Sequence, residues 1–302
     1  MIIRLSGLLA LALLGLAPLR AAEATPPPAP LKIVFWNIQW FPGGDIYASE
    51  ADAAAQVPLV QAAIAALNPD ILGMEEIRDA AAADLAIAKV PGMQVQVCSD
   101  FLGRNGEKTT QQVVIASRQP AMGAWWEDWK QGSATTPKRG FAFAAFQPAP
   151  GHVLLVYTVH LKSNRGKLDE NMAMREESAT QLLSHVAAME KAYSTLGTVS
   201  IVLGGDFNTS VDDAKFGLEK TLPMLTAAGF ESCWKNRPLT ERVTLPSEPS
   251  KNPKYPPFPD ACFDFAFVKN GKFRSARVDI PAGKPSDHRP VVVELELPST
   301  TH

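Results

Sequence analysis

Cysteine is scarce in this sequence: Cys98, Cys233 and Cys262 are the only three in 302 residues. Three thiols cannot build a disulfide-framed scaffold, and their spacing does not match a zinc site. An excess of positive charge is missing too. Lys and Arg number 29 against 31 Asp and Glu, a formal charge of −2. That argues against a broad polybasic surface, though not against a local basic groove around a metal site. Beyond the N-terminal run, no stretch is apolar enough to span a bilayer, which takes about 20 residues. Neither an internal repeat nor a second domain boundary is evident, so one large domain is expected.

What is present begins at the N-terminus. Met1-Ile2-Ile3-Arg4 precedes an apolar run from Leu5 to Ala17, and Leu19-Arg20-Ala21-Ala22-Glu23-Ala24 follows. A positive start, a short apolar run and an Ala-x-Ala end form the pattern of a cleaved secretory signal. The expected cut is after Ala24, with Ala22 the other option. An uncleaved anchor is disfavoured, because the run is short for a spanning helix. Removing residues 1–24 takes away Arg4, Arg20 and Glu23 and moves the formal charge to about −3. The mature protein is then secreted or periplasmic. One bridge is expected in that oxidising compartment, and Cys233–Cys262, flanking one long loop, is the favoured pair. Residues 25–30, Thr-Pro-Pro-Pro-Ala-Pro, form a proline-rich leader, and residues 31–298 form the domain.

Leu31 to Ile38 reads as a buried strand with Asn37 near its end. Residues 50–67 read as a helix stopped by Asn68-Pro69. Asp70 to Ile77 reads as a second buried strand. Strict alternation sends Glu75 and Glu76 to opposite faces, so only one can reach a given site. A buried strand carboxylate is costly unless paired or metal-bound. Ala80 to Val90 is a helix, Met93 to Cys98 and Gln112 to Ala116 are strands, and Phe141 to Phe146 with Val153 to Val159 make a hairpin. Residues 100–111, 119–140 and 236–260 read as loops inserted in one domain, the last carrying Tyr255 and Phe258. Trp125, Trp126 and Trp129 in the second loop fit packing better than a stacking rim. His160 stands at a strand tip ahead of Leu161-Lys162-Ser163-Asn164-Arg165, a sequence suited to an anion. Asn171 to Tyr193 is a long helix whose charged face carries Arg175, Glu176 and Glu177.

Thr198 to Leu203 is an apolar strand running into Gly204-Gly205-Asp206-Phe207-Asn208. The two glycines permit close approach, and Asp206 and Asn208 share one side. Leu218 to Ala228 is a helix, and Gly229 to Trp234 a strand. Cys262 to Val268 is a strand with Asp264 as its only charge, and Lys272 to Ile280 is expected to pair near it. Lys284-Pro285-Ser286-Asp287-His288-Arg289-Pro290 is a proline-stiffened turn before the strand Val291 to Leu297.

Asn37, Glu76, His160, Asp206, Asn208, Asp264, Asp287 and His288 mostly sit at or just past the ends of separate strands, the usual place for catalytic groups in layered α/β enzymes. Carboxylates, carboxamides and two histidines without thiolate select Mg²⁺, Mn²⁺ or Ca²⁺ over zinc. A hard cation with histidines is chemistry for phosphate esters. Trp36-Asn37, Glu75-Glu76-Ile77-Arg78-Asp79, Val159-His160-Leu161-Lys162-Ser163, Gly205-Asp206-Phe207-Asn208, Phe263-Asp264-Phe265 and Ser286-Asp287-His288-Arg289-Pro290 resemble, in order, the motifs of the DNase-I-like endonuclease/exonuclease/phosphatase superfamily. The resemblance spans residues 32–297 and implies an α/β (α+β) four-layer sandwich, two mixed β-sheets packed face to face with helices outside.

Carried over residue by residue, the resemblance implies Glu76 as the principal metal ligand with Asn37 and Asp287 nearby. Asp206 and Asn208 would hold the reacting phosphate, the attacking water or a second metal. His288 would contact the scissile phosphate or act as base, with Asp264 orienting its ring, and His160 would be the partner acid or phosphate ligand. Arg78 and Arg139 match positions that touch the nucleic-acid backbone in the DNase branch, and Gln111 and Lys162 are the other candidates for substrate binding. Leu102-Gly103-Arg104-Asn105 with Gln111-Gln112-Val113 resembles the same branch, but Gln111 stands where that branch has a glutamate pairing with the first histidine. An amide cannot stabilise an imidazolium as a carboxylate does, so His160 is expected to have a lowered pKa. Glu75 replaces a more usual Gln.

The leading expectation is an exported, divalent-metal-dependent phosphodiesterase, a DNA or RNA nuclease working by in-line attack of water, Mg²⁺-dependent and monomeric with no obligate protein partner. Its rival within the same chemistry is a sphingomyelinase-like enzyme acting on a lipid headgroup, with Trp125-Trp126 and the Tyr255–Phe258 loop as membrane contacts. A non-catalytic binding module on the same scaffold is the rival of another class.

Overall fold

The computed structural model describes residues 29–103, 106–248 and 258–297. The expected signal, most of the proline-rich leader, Arg104, Asn105, Tyr255 and everything after residue 297 lie outside the described residues.

The first strand sets the architecture. β1 (Leu31–Phe41) sends Ile33 and Phe35 to one side and Val34, Trp36 and Ile38 to the other, all fully buried. A strand apolar on both faces must be covered on both. Its sheet comprises β2 (Ile71–Ile77), β3 (Gln94–Cys98), β4 (Gln112–Ser117), β11 (Lys272–Val278) and β12 (Val291–Glu296), in the order β11-β12-β1-β2-β4-β3. The second sheet holds β5 (Gly123–Asp128), β6 (Gly140–Ala149), β7 (His152–His160), β8 (Thr198–Asp206), β9 (Glu231–Ser232) and β10 (Asp264–Lys269), in the order β5-β6-β7-β8-β10-β9. Each sheet is mixed: β1 runs parallel to β2, and β7 to β8, while the other pairs are antiparallel.

Helices cover the outer faces. α1 (Glu50–Leu67) starts at a Ser49–Asp52 capping box and ends at Asn68 in the left-handed region, φ 48°. Such a reciprocal cap satisfies two otherwise orphaned N–H groups. α2 (Ala80–Ile87) is capped by Asp79, which accepts from the Ala82 amide. Val60 and Ile64 of α1 and Ala82 and Ala86 of α2 pack against Val34, Trp36 and Leu72 of the first sheet. α3 (Leu168–Tyr193) lays Leu182 and Val186 on the second sheet, with α4 (Thr221–Ala227) adding Leu222 and Leu225. The result is the four-layer sandwich, helix, sheet, sheet, helix.

Three expectations are corrected. The stretch 119–140 is not all loop, because β5 pairs as an edge strand along β6, Trp125 opposite Phe143. Its tryptophans pack: Trp125 lies 4.4 Å from the Phe143 ring, Trp126 meets Phe101 edge-on at 5.5 Å, and Trp129 is buried. β11 does not pair with β10, whose two edges are already taken by β8 and β9, so Asn270-Gly271 carries the chain across to the first sheet, where β11 pairs β12. Cys233 and Cys262 are free thiols rather than a bridge. Each sulfur is engaged separately: Cys233 Sγ accepts the Ala266 amide at 3.3 Å, and Cys262 Sγ donates to the Asp264 carbonyl at 3.7 Å.

The sheets meet closely because glycine leaves room for Phe35. A Cβ on Gly73 would sit 2.5 Å from the Phe35 ring, and one on Gly204, from the facing sheet, would collide with the same ring. Gly204→Ala is expected to cost about 1–3 kcal/mol by overpacking, and Phe35→Leu should relieve part of that cost; paired urea denaturation curves test it. A second expectation concerns His152 at the start of β7, 2% exposed with Nε2 unpartnered. Burial lowers its pKa. The unfolded chain then takes up a proton, near pH 6.5, that the folded protein refuses, so this contribution to stability is complete above that pH and falls as pH drops below about 6.5. His152→Leu should flatten that part of the pH–stability curve relative to wild type.

Candidate active site

Strand register places three of the expected groups abreast. In the second sheet His160 pairs with Asp206 across β7 and β8, and Asp206 with Asp264 across β8 and β10. All three are at least 98% buried and stand at one end of their strands, between the sheets. Asp206 Oδ2 is the centre. Asn37 Nδ2 donates to it at 3.1 Å from the opposite sheet, and Asn208 Nδ2 at 3.0 Å, while the Asn208 amide donates to Oδ1 at 2.8 Å. His160 Nε2 lies 3.6 Å from Oδ2 and His288 Nε2 3.9 Å, so the two rings converge on one carboxylate oxygen.

In the first sheet the alternation expected for Glu75 and Glu76 fails. The register shifts between Glu75 and Ile77, and Glu76 has φ 60°. Such a bulge re-aims one side chain, and both carboxylates turn to the site. Glu76 Oε1 comes 3.7 Å from His160 Nε2, and Oε2 accepts the Trp40 amide at 3.0 Å. Glu75 lies deeper, fully buried, with Oε1 accepting from Thr158 Oγ1 at 2.5 Å and Oε2 unpartnered. Burial raises the pKa of both, far more for Glu75, and Asp287 adds to the rise at Glu76.

The Ser286-Asp287-His288 turn is bolted to the end of β1. Ser286 Oγ donates to the Asn37 carbonyl at 2.7 Å and accepts the His288 amide at 3.1 Å. Trp36 Nε1 donates to the His288 carbonyl at 3.0 Å, and the Asp287 amide to Gln39 Oε1 at 3.0 Å. Gln56 of α1 donates to the Pro285 carbonyl at 2.9 Å. His288 Nδ1 is 2.8 Å from Asp264 Oδ2, which fixes the tautomer and aims Nε2 into the site. Burial opposes the charged ring, but the carboxylates of Asp264 and Asp206 and the hydrogen bond to Asp264 hold its pKa well above the usual histidine range. His160 is the reverse. Its Nδ1 is buried and unpartnered, and burial, then Arg139 and His288, hold its pKa well below the usual range. Asp206 is pushed up, by burial and by Asp264.

Gln111 does not touch the His160 ring. Its Nε2 donates to Glu76 Oε1 at 3.0 Å, and its Oε1 accepts from Arg139 Nη1 at 2.6 Å. Arg139, at φ 67°, also donates to the His160 and Leu161 carbonyls at 3.0 and 2.7 Å. Lys162 Nζ folds onto its own turn, donating to the Ser163 and Arg165 carbonyls at 2.6 and 2.9 Å. Burial, then Lys138, Arg139, Arg175 and Arg165, bring the Lys162 ammonium down to about 8. Arg78 stands apart, exposed and paired with its neighbour Asp79 at 3.0 Å.

A family model for the Endonuclease/Exonuclease/phosphatase family matches residues 34–288, a span that takes in every group just described. The chain belongs to the endonuclease/exonuclease/phosphatase family. No curated protein matches it in sequence. Among solved structures it is similar to a mannosyl-6-phosphatase from Bacteroides thetaiotaomicron, 17% identical with TM-score 0.62 over 88% of this chain and 100% of that one. It is similar to the human nocturnin catalytic domain with bound sulfate, 16% identical with TM-score 0.62 over 88% and 94%. It is also similar to TDP2 from D. rerio complexed with a single-strand DNA product, 16% identical with TM-score 0.60 over 88% and 99%. At these identities the likeness shows the fold.

The donor set of this family member suits the divalent cation that its relatives generally use. Glu76 and Asp287 repel each other, and Glu75, Asp206 and Asp264 add buried carboxyl groups against two cationic groups, His288 and Arg139. Among the described residues one compact group of three metal-capable side chains forms, Asp206, Asp264 and His288, within 4.8 Å of one another. Asp264 and His288 are committed to each other, which leaves Asp287, and Glu76 beyond its bonds from Trp40 and Gln111, as oxygen donors for a cation; the Asn37 amide is turned to Asp206 and to the Gln39 N–H.

Thr158, Gln39 and Ser286 serve the site without having been singled out in the sequence. Only Ser286, next to the Asp-His pair, carried a positional signal. The anchoring of His288 is open to test by proton NMR of the metal-free protein. A low-field ring N–H signal should be present in wild type and in His160→Ala, and absent in Asp264→Ala.

Proposed function

We propose that this protein is an exported, divalent-metal-dependent phosphodiesterase whose substrate is nucleic acid. One observation carries the hydrolytic reading: the Nε2 atoms of His160 and His288 converge at 3.6 and 3.9 Å on Asp206 Oδ2. Two ring N–H donors flanking a carboxylate match a phosphoryl group under attack by water. Asp206 takes the proton from the attacking water. The two rings donate to the phosphoryl oxygens as charge builds on them, and Asn208 and Asn37 hold Asp206 in line. The P–O bond opposite the water breaks, and the leaving oxygen departs with the electron pair. His160 works here as a neutral donor, since no partner for Nδ1 supports a charged ring. A divalent cation held by Glu76 and Asp287 would supply Lewis-acid stabilisation of that charge.

The choice of nucleic acid rests on the cations beside His160. Lys138, Arg139 and Arg165 lie close enough to Lys162 to lower its pKa, after the larger effect of burial. A local cationic cluster suits a polyanion running past the scissile bond. The lipid reading loses its tryptophan contact, since Trp125 and Trp126 pack on Phe143 and Phe101. Phe258, 63% exposed, is what it retains. Export rests on the N-terminal pattern, and the N-terminal sequence of the secreted protein tests cleavage after Ala24.

The decisive assay incubates mature protein with plasmid DNA, RNA, sphingomyelin liposomes and a sugar monophosphate, each with Mg²⁺, Mn²⁺, Ca²⁺ or chelator. Metal-dependent cleavage of DNA or RNA is expected, with kcat/KM lower by about 10²–10⁴ in His288→Ala. Turnover of liposomes or of the monophosphate alone would overturn the substrate assignment. Absence of any metal-dependent hydrolysis would sink the enzyme reading.

A further inference from the structure

The charged face read on the long helix is only partly a surface. Arg175 of α3 is fully buried, and so is the side chain of Glu219 ahead of α4, at 2% exposure. They meet fork to fork, Arg175 Nε on Oε1 at 2.8 Å and Nη2 on Oε2 at 2.6 Å. Arg175 Nη1 donates onward to the Lys162 carbonyl at 2.8 Å and to Asn164 Oδ1 at 3.0 Å. Glu219 accepts from the hydroxyls of Thr209 and Thr221 at 2.9 and 2.7 Å. Asn164 Nδ2 then donates to the Asn208 carbonyl at 2.9 Å. One ion pair thus ties α3 to both segments that leave the site, 161–165 after His160 and 207–221 after Asp206.

A buried pair of this kind is weak support for stability, because apolar residues of equal volume often serve as well. What it supplies is position. A guanidinium presents its donors in a fixed plane, which a lysine cannot. The residue at the far end needs holding. Asn208 has φ 53°, a left-handed value uncommon among L residues, though asparagine adopts it more readily than most. Its Nδ2 donates to Asp206 and, at 3.2 Å, to the Leu161 carbonyl.

We propose that the Arg175–Glu219 ion pair, relayed through Asn164, is a positioning element of the active centre that fixes Asn208 and through it the carboxylate of Asp206. None of the three touches the reacting atoms. The assignment rests on the phosphodiesterase reading, and its test is built to fail separately from that reading.

Three variants are compared with wild type. Asn164→Ala removes the relay and leaves the buried pair intact. Asn164→Asp keeps the acceptor for Arg175 and loses the donor to Asn208. The double variant Arg175→Met with Glu219→Leu removes both charges together, so no lone charge is stranded. Each is assayed on bis-para-nitrophenyl phosphate, by urea denaturation, and by hydrogen–deuterium exchange over residues 204–212. The expected result is a kcat lower by roughly 10–100-fold, with KM and urea midpoint near wild type and faster exchange at 204–212. Asn164→Asp should behave as Asn164→Ala does. An unchanged kcat, a change confined to KM, or a loss of kcat without faster exchange would each overturn the proposal. If the double variant does not fold, the two Asn164 variants decide. If wild type hydrolyses no substrate, the phosphodiesterase reading fails, and exchange alone then decides: unchanged exchange in Asn164→Ala overturns the positioning role.

Discussion

Backbone hydrogen bonding between β7, β8 and β10 holds His160, Asp206 and Asp264 in one row at one end of their strands, between the sheets. Those bonds place ionisable groups where water is nearly absent, and each must find a partner there. Asp264 takes the His288 ring, Asp206 takes the amides of Asn37 and Asn208, and Glu76 takes Trp40 and Gln111. The partners come from both sheets and from the turn before β12. The site therefore exists only when the sandwich is closed. Asp264 Oδ1, Glu75 Oε2 and His160 Nδ1 remain unpartnered, all within the same cluster.

Closure in turn depends on what the strands omit. Gly73 and Gly204 leave space for Phe35 from both sides. Gly205, at φ 120°, leaves space for the Val159 carbonyl and the Glu75 carboxyl. The glycine pair before Asp206 thus serves the approach of protein to protein, as well as the flexibility that a ligand loop would need. Where backbone geometry departs from the regular strand, at Gln39, Trp40 and Glu76, the departures lie beside one another and Trp40 donates to Glu76. Strain of this kind persists where surrounding structure over-determines it.

The two histidines differ for reasons of neighbourhood rather than of type. His288 feels the carboxyl groups of Asp264, Asp206, Asp287, Glu75 and Glu76 and bonds the first of them. His160 is walled in beside Arg139 with its inner nitrogen bare. Gln111 contributes to that difference by joining Arg139 to Glu76 instead of meeting the His160 ring. A phosphoryl group between the rings would find one donor whose surroundings favour charge and one whose surroundings oppose it, with Arg139 and Lys162 on the side of the second.

Much of this was legible in the residues themselves. Apolar strands carrying Asn37, His160, Asp206 and Asp264 at or near one end, and the stiff turn carrying Asp287 and His288, marked out oxygen and imidazole groups at strand ends, and the resemblance they carry implied the four-layer fold. The helix limit at Asn68 followed from the Asn68-Pro69 stop, whereas the Asp79 cap of α2 came from the structure. Other features follow from relations between distant segments, which periodicity does not encode. The bulge at Glu76 reversed a face that alternation had assigned. β11 crossed to the other sheet because β10 had no free edge. Cys233 and Cys262 stayed apart because each sulfur met a different backbone group, and Arg175 was drawn from a polar helix face into a buried pair. Sequence by itself determined which chemical groups stand at the strand ends, since residue type and strand period are local. Only the tertiary structure decided which of them face one another and in what state of charge, since register, bulges and burial arise when the two sheets close.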